Sequence, residues 1–137
     1  MQRPIDHHTA LIFTMVLIAA AEGDMTDQEL ERIGLFVRFL PVFRDFDKDR
    51  LTEVGRDCAD LLRREDGLDL ALDMIAEALP QRLRETAYTL ACDIASADER
   101  VAPEELEMLK MLRQRLHIDR LIAAAIERAT YARYAVP

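Results

Sequence analysis

Apolar residues recur along the chain at three- and four-residue spacing, and no stretch alternates with period two for long. No hairpin dipeptide separates β-branched runs. The pattern predicts helices only, over 4–22, from 26 or 27 to 40, and over 47–64, 68–79, 80–98, 103–116 and 119–133. The punctuation agrees. Gly23-Asp24 breaks the first helix, Thr26 and Glu29 have the spacing of a capping box, and Pro41 stops the second helix. Leu51, Val54, Cys58, Leu61 and Leu62 share one face of the third, and Asp66-Gly67 is a turn signal. Pro80 and Pro103 open the fifth and sixth helices, since proline is tolerated in a first turn. Short connections predict antiparallel neighbours. The expected fold is all-α, a single-domain bundle of about seven helices over 1–137.

Positions 10–21 are almost wholly apolar and end in Ala19-Ala20-Ala21, faintly like a secretory leader. The preceding residues carry only Arg3 as a fixed positive charge, opposed by Asp6. The run is also well short of the roughly 20 apolar residues that a membrane span needs. A buried core helix is the expectation, with no membrane insertion.

The chain repeats itself. Sliding it so that Leu11 falls on Ala87 places 11–40 on 87–116 without a gap. Ile18, Ala19 and Ala21 then meet Ile94, Ala95 and Ala97, and Glu22 meets Asp98. Glu29-Leu30-Glu31 meets Glu105-Leu106-Glu107, and Leu40 meets Leu116. Small residues and acids coincide together, which favours duplication over chance and predicts two pseudo-symmetric halves.

The candidate chemistry lies in the two acidic turns. Glu29 and Glu105 stand near helix N-termini, where the dipole and free N–H groups welcome a carboxylate. Capping alone explains them. Glu22 and Asp98 are expected at helix C-termini, facing unpaired carbonyls, a placement that calls for a cation or a basic partner. Asp93 interrupts the apolar face Leu90–Ala95 and must find a partner or a shifted pKa; its repeat mate is Leu17. If the halves pack about a twofold axis, Glu22, Glu29, Asp98 and Glu105 converge, with Asp93 beside them and Asp24 as a further ligand in the first turn. Clustered carboxylates suit a divalent ion, Ca²⁺, Mg²⁺ or Zn²⁺. Arg100 stands where Asp24 does in the first turn, so the two turns are unequal. The plainer reading keeps these acids as caps and solvated charges, with Asp93 paired to an arginine.

Composition narrows the rest. The 137 residues are 50% hydrophobic with a net charge of −8. Such a surface repels phosphate backbones and anionic membranes, which argues against nucleic acid as a partner, and attracts cations or basic proteins. Cys58 and Cys92 lack CxxC spacing and read as buried residues of a reducing compartment, hence a cytoplasmic location. There is no GxSxG, phosphate-cradling glycine loop or HExxH, and Cys58 has no evident base, so no enzyme is expected. His7 and His8 read as solvated, and His117 as a helix-end residue. Met108, Met111 and Leu112 read as core. Arg38, Arg44, Lys48, Arg50, Arg56, Arg63 and Arg64 form either a solvated face or a docking patch for an acidic partner.

Ile18–Met25 followed by Glu29, and Asp93–Asp98 followed by Val101, Pro103, Glu104 and Glu105, resemble the paired acidic helix-turn-helix motifs of the bacterial tellurite-resistance TerB-like family. The resemblance spans nearly the whole chain. It implies an all-α bundle of two similar halves, and divalent-metal or partner binding through Glu22, Glu29, Asp93, Asp98 and Glu105. Two positions depart from the family pattern. Glu22 stands where Asp is commoner, and Glu99 where the turn usually has Gly, which removes easy access to positive φ. The expected role is a non-catalytic metal-binding or stress-response module with a protein partner. The rival is an interaction scaffold whose acidic cluster is structural.

Overall fold

The computed structural model describes residues 4–23, 25–96 and 101–137, and within them seven α-helices and no strand. They are α1 (His7–Ala19), α2 (Asp27–Phe39), α3 (Leu51–Leu62), α4 (Gly67–Ala78), α5 (Gln81–Ala95), α6 (Pro103–Arg115) and α7 (Arg120–Arg133). Each expected helix is present. The first starts later than expected because the Asp6 side chain accepts the Thr9 N–H (2.8 Å) and so caps the helix at His7, not Pro4. Pro80 likewise precedes α5 as its N-cap instead of lying inside it.

α1 is the axis of the bundle. Every residue from Ala10 to Ala19 is buried, so the helix has no polar face. It packs on α5, α3, α4 and α6, and more lightly on α2. Its one buried hydroxyl, Thr14, donates to the Ala10 carbonyl (2.8 Å). α5 is the second inner helix, held between α1, α6 and α7, and from Ala87 to Ala95 only Thr89 is not buried. α3 contributes one stripe, Val54, Cys58 and Leu61, at the expected spacing. Leu112 is wholly buried, with Met108 and Met111 packed against the same single core. Among the described residues no helix is long and apolar enough to cross a membrane.

The link between α2 and α3 holds a feature the periodicity does not predict. Pro41–Phe43 and Lys48–Arg50 form short 3-10 turns that press Phe43 and Phe46 into the core. His8 meets them there, with ring centroids 5.8 and 5.4 Å from Phe43 and Phe46. Its Nε2 donates to the Val42 carbonyl (2.9 Å). His8 is therefore a half-buried packing residue and not a solvated one.

The repeat is visible in local structure. α1 and α5 end at Ala19 and Ala95, α2 and α6 begin at Asp27 and Pro103, and these close at Phe39 and Arg115, all matched pairs of the sequence register. Backbone angles match as well. Ala20 and Ser96, the C-caps, have φ/ψ of −92/2 and −90/5, and the N-caps Thr26 and Ala102 have −82/163 and −68/151.

Candidate metal-binding turns

Each turn is built by the caps on either side of it. In the first, Glu29 N–H donates to Thr26 Oγ1 (3.1 Å), and Thr26 N–H donates to Glu29 Oε1 (2.9 Å). This is the reciprocal capping box its sequence predicts. In the second, Ala102 has no side-chain acceptor, so only half of the box survives: Ala102 N–H donates to Glu105 Oε1 (3.1 Å). The two glutamates hold equivalent backbone donors, but Glu105 is buried where Glu29 is half-buried.

Glu22 lies outside the helix it was expected to end. α1 stops at Ala19 with Ala20 as C-cap, and Glu22 follows in the turn, exposed to water. The C-terminal carbonyl repulsion that singled it out is weaker than a last-turn position would give, because that effect fades beyond the final turn. Gly23 takes φ 145°, which glycine adopts freely. Asp24, Asp98, Glu99 and Arg100 lie outside the described residues, and with them the separation of the Glu22 and Asp98 carboxylates.

Asp93 has found a basic partner. Arg133, on α7, donates to Asp93 Oδ1 through Nη2 (2.8 Å) and Nε (3.3 Å). The aspartate side chain is 9% exposed and the arginine 48%, so the pair sits at the rim of the core. The hydrogen bond and charge of Asp93 raise the Arg133 pKa further. Of the six candidate ligands, then, Glu29 and Glu105 hold helix caps, Asp93 holds Arg133, Glu22 is exposed, and two are undescribed. Among the described residues no group of three His, Cys, Asp or Glu side chains is arranged to hold a metal.

Other groups behave as their surroundings dictate. Burial pushes the Cys58 and Cys92 thiols up to about 12, so neither supplies a thiolate near neutral pH. Three of the basic residues of the middle segment pair with a neighbouring acid in water: Arg63 with Asp60 (2.9 Å), Arg64 with Asp66 (3.3 Å) and Arg50 with Glu53 (3.8 Å). Sequence reasoning missed a polar network between the last three helices. Tyr88 hydroxyl donates to Glu127 Oε2 (2.6 Å), which also receives Arg113 Nη1 (3.2 Å). Burial, then the Glu127 hydrogen bond, raises the Tyr88 pKa. A tyrosine on the inner face of α5 was the available signal. Glu127 and Arg113 gave none, because their meeting depends on how α6 and α7 flank α5.

A family model described as Tellurite resistance protein TerB matches residues 8–128. Comparison with curated proteins and comparison with solved structures each returned no match.

Proposed function

The chain belongs to the family of the tellurite resistance protein TerB, and from that premise we propose that it is a non-catalytic cytoplasmic domain that binds a divalent cation through its duplicated acidic turns, in tellurite, metal or stress resistance. The observation that carries this reading is the likeness of the two turns' flanking caps. Two hairpins share helix ends, cap angles and a glutamate clamped by the N-cap N–H. That glutamate is oriented before any ion arrives, which lowers the ordering cost of binding. The donor chemistry fits a hard cation, because the candidate set is all carboxylate, with no thiolate or imidazole. Oxygen-only donors favour Ca²⁺ or Mg²⁺ over Zn²⁺. Glu22, Asp24 and Glu29 would hold the ion in the first turn, and Asp98 and Glu105 in the second. Asp93 is left out, since Arg133 already occupies its Oδ1.

Thermal unfolding with and without millimolar Ca²⁺ or Mg²⁺ tests this. The melting temperature of the wild type should rise with ion, and Asp98→Asn or Glu22→Gln should remove most of the rise while leaving the ion-free value nearly unchanged. A wild-type melting temperature indifferent to every divalent ion ends the cation reading. A specific observation then favours the second reading, a protein-interaction scaffold with a structural acidic cluster. Glu29, Glu105 and Asp93 each already serve a cap or an ion pair that stabilises the bundle.

A further inference from the structure

α6 and α7 both pack on α5 but form no comparable pairing with each other. They leave a trough of about 490 Å³ above α5. Its floor is Tyr88 and Cys92, one wall is Leu106 and Leu109 of α6, and the other is Tyr131 of α7. On α6 the lining residues Leu106, Leu109, Lys110 and Arg113 follow helical spacing, so one face of that helix is given to the trough. Leu106 is 55% and Tyr131 68% exposed, an apolar investment left facing water.

The charge of the trough departs from that of the chain. Lys110, Arg113 and Glu127 line it. The Glu127 charge is offset by Arg113 (3.2 Å), and the same Oε2 accepts the Tyr88 hydroxyl. Lys110 has no ion-pair partner among the described residues. Among the described residues that line it, the two cations Lys110 and Arg113 face the single acid Glu127, in a chain of net charge −8.

We propose that this trough is a binding site for a small amphiphile with an acyl body and a carboxylate head, of the class of a medium-chain fatty acid. The acyl body lies over Cys92, Leu106, Leu109 and the Tyr131 ring, and the carboxylate meets the Lys110 ammonium at the rim. The volume falls within the range of about 300–1,000 Å³ typical of small-molecule sites, and mostly apolar walls with a few convergent polar groups are their usual make-up. A cationic amphiphile would meet two like charges, Lys110 and Arg113, against the one acid Glu127 that Arg113 already pairs with.

The test is an NMR titration of the full chain with sodium decanoate, and with decyltrimethylammonium as a same-length ligand of opposite charge, both below their micelle concentrations. Chelator is present throughout, so the outcome does not depend on the acidic turns. Decanoate should give saturable shifts centred on Cys92, Leu106, Leu109 and Tyr131, and bind roughly tenfold or more tightly than the cation. Lys110→Glu should narrow or reverse that preference, and Leu106→Asn, which removes apolar wall without adding charge, should weaken binding of both. Lys110 and Leu106 are exposed, so unchanged circular dichroism and melting temperature separate loss of binding from loss of fold. Shifts that never saturate, shifts spread over the whole bundle, equal affinity for the two head groups, or indifference to Lys110→Glu each overturn the proposal.

Discussion

Gly67 begins α4 directly against the end of α3. A Cβ there would lie 1.9 Å from the Leu61 carbonyl oxygen and 2.8 Å from its carbon. Those are backbone atoms, so no rotamer change relieves the clash, and the turn itself must open. Gly67→Ala should therefore destabilise the protein by about 1–3 kcal/mol, the usual range for overpacking. Urea unfolding measures it, and a loss under about 0.5 kcal/mol would show that the turn yields easily. The reason is close approach, not φ. His117 shows the other case. It takes φ 53° as the residue after the α6 C-cap, while its N–H donates to Gln114 O (3.2 Å) and Ile118 N–H to Arg113 O (3.2 Å). This is a Schellman ending with histidine where glycine is usual.

At the scale of the element, α1 depends on its first cap. Asp6 precedes a helix with no acid in its first turn and no base in its last, so the side-chain bond to Thr9 N–H is its main terminal support. Burial pushes the Asp6 carboxyl up, but the Thr9 hydrogen bond and the charges of His8 and His7 outweigh it, and the net pKa lies below the ordinary value. A carboxyl that is more acidic when folded stabilises the folded state above its unfolded pKa, and that contribution is lost as pH falls through the folded value. Asp6→Ala should cost about 1 kcal/mol at neutral pH, a normal N-cap loss. The gap to the wild type should shrink once the pH drops below the ordinary value of 3.8. Paired unfolding curves between neutral and strongly acidic pH check this, and a gap that stays constant throughout would mean that the carboxylate charge plays no part in the cap.

At the scale of the molecule, one arginine ties three helices. From the first turn of α5, Arg84 Nη2 donates to Ala76 O (2.6 Å), Nε to Leu79 O (3.0 Å) and Nη1 to Leu116 O (3.4 Å). The guanidinium thus satisfies C-terminal carbonyls of α4 and reaches the C-cap of α6, where positive charge suits the dipole. Arg84→Met keeps the stem but leaves those half-buried carbonyls without their donor, a loss of about 2 kcal/mol. Arg84→Lys should recover only part of it, since an ammonium lacks the planar fork. Equal stability of wild type and Arg84→Met in guanidinium unfolding would mean that water replaces the side chain at no cost. Arg115 makes a second tie between α6 and α4 through Asp73 (2.6 Å), but in the open, where such pairs contribute little.

The sequence alone determined the seven helices and their order. Helical periodicity, prolines and caps such as Thr26 act over a few residues, so their effect is written locally. It also exposed Asp93 as a charge in need of a partner, because a carboxylate in an apolar stripe has few other solutions. What it could not contain was the partner. Arg133 meets Asp93, Glu127 meets Tyr88, and Arg84 reaches Leu116 only because α7 and α6 lie where they do against α5. Pattern fixes which face of a helix is buried. Which neighbour that face meets, and which trough is left between neighbours, follows from how the other helices pack on α1 and α5, and only the tertiary structure decided that.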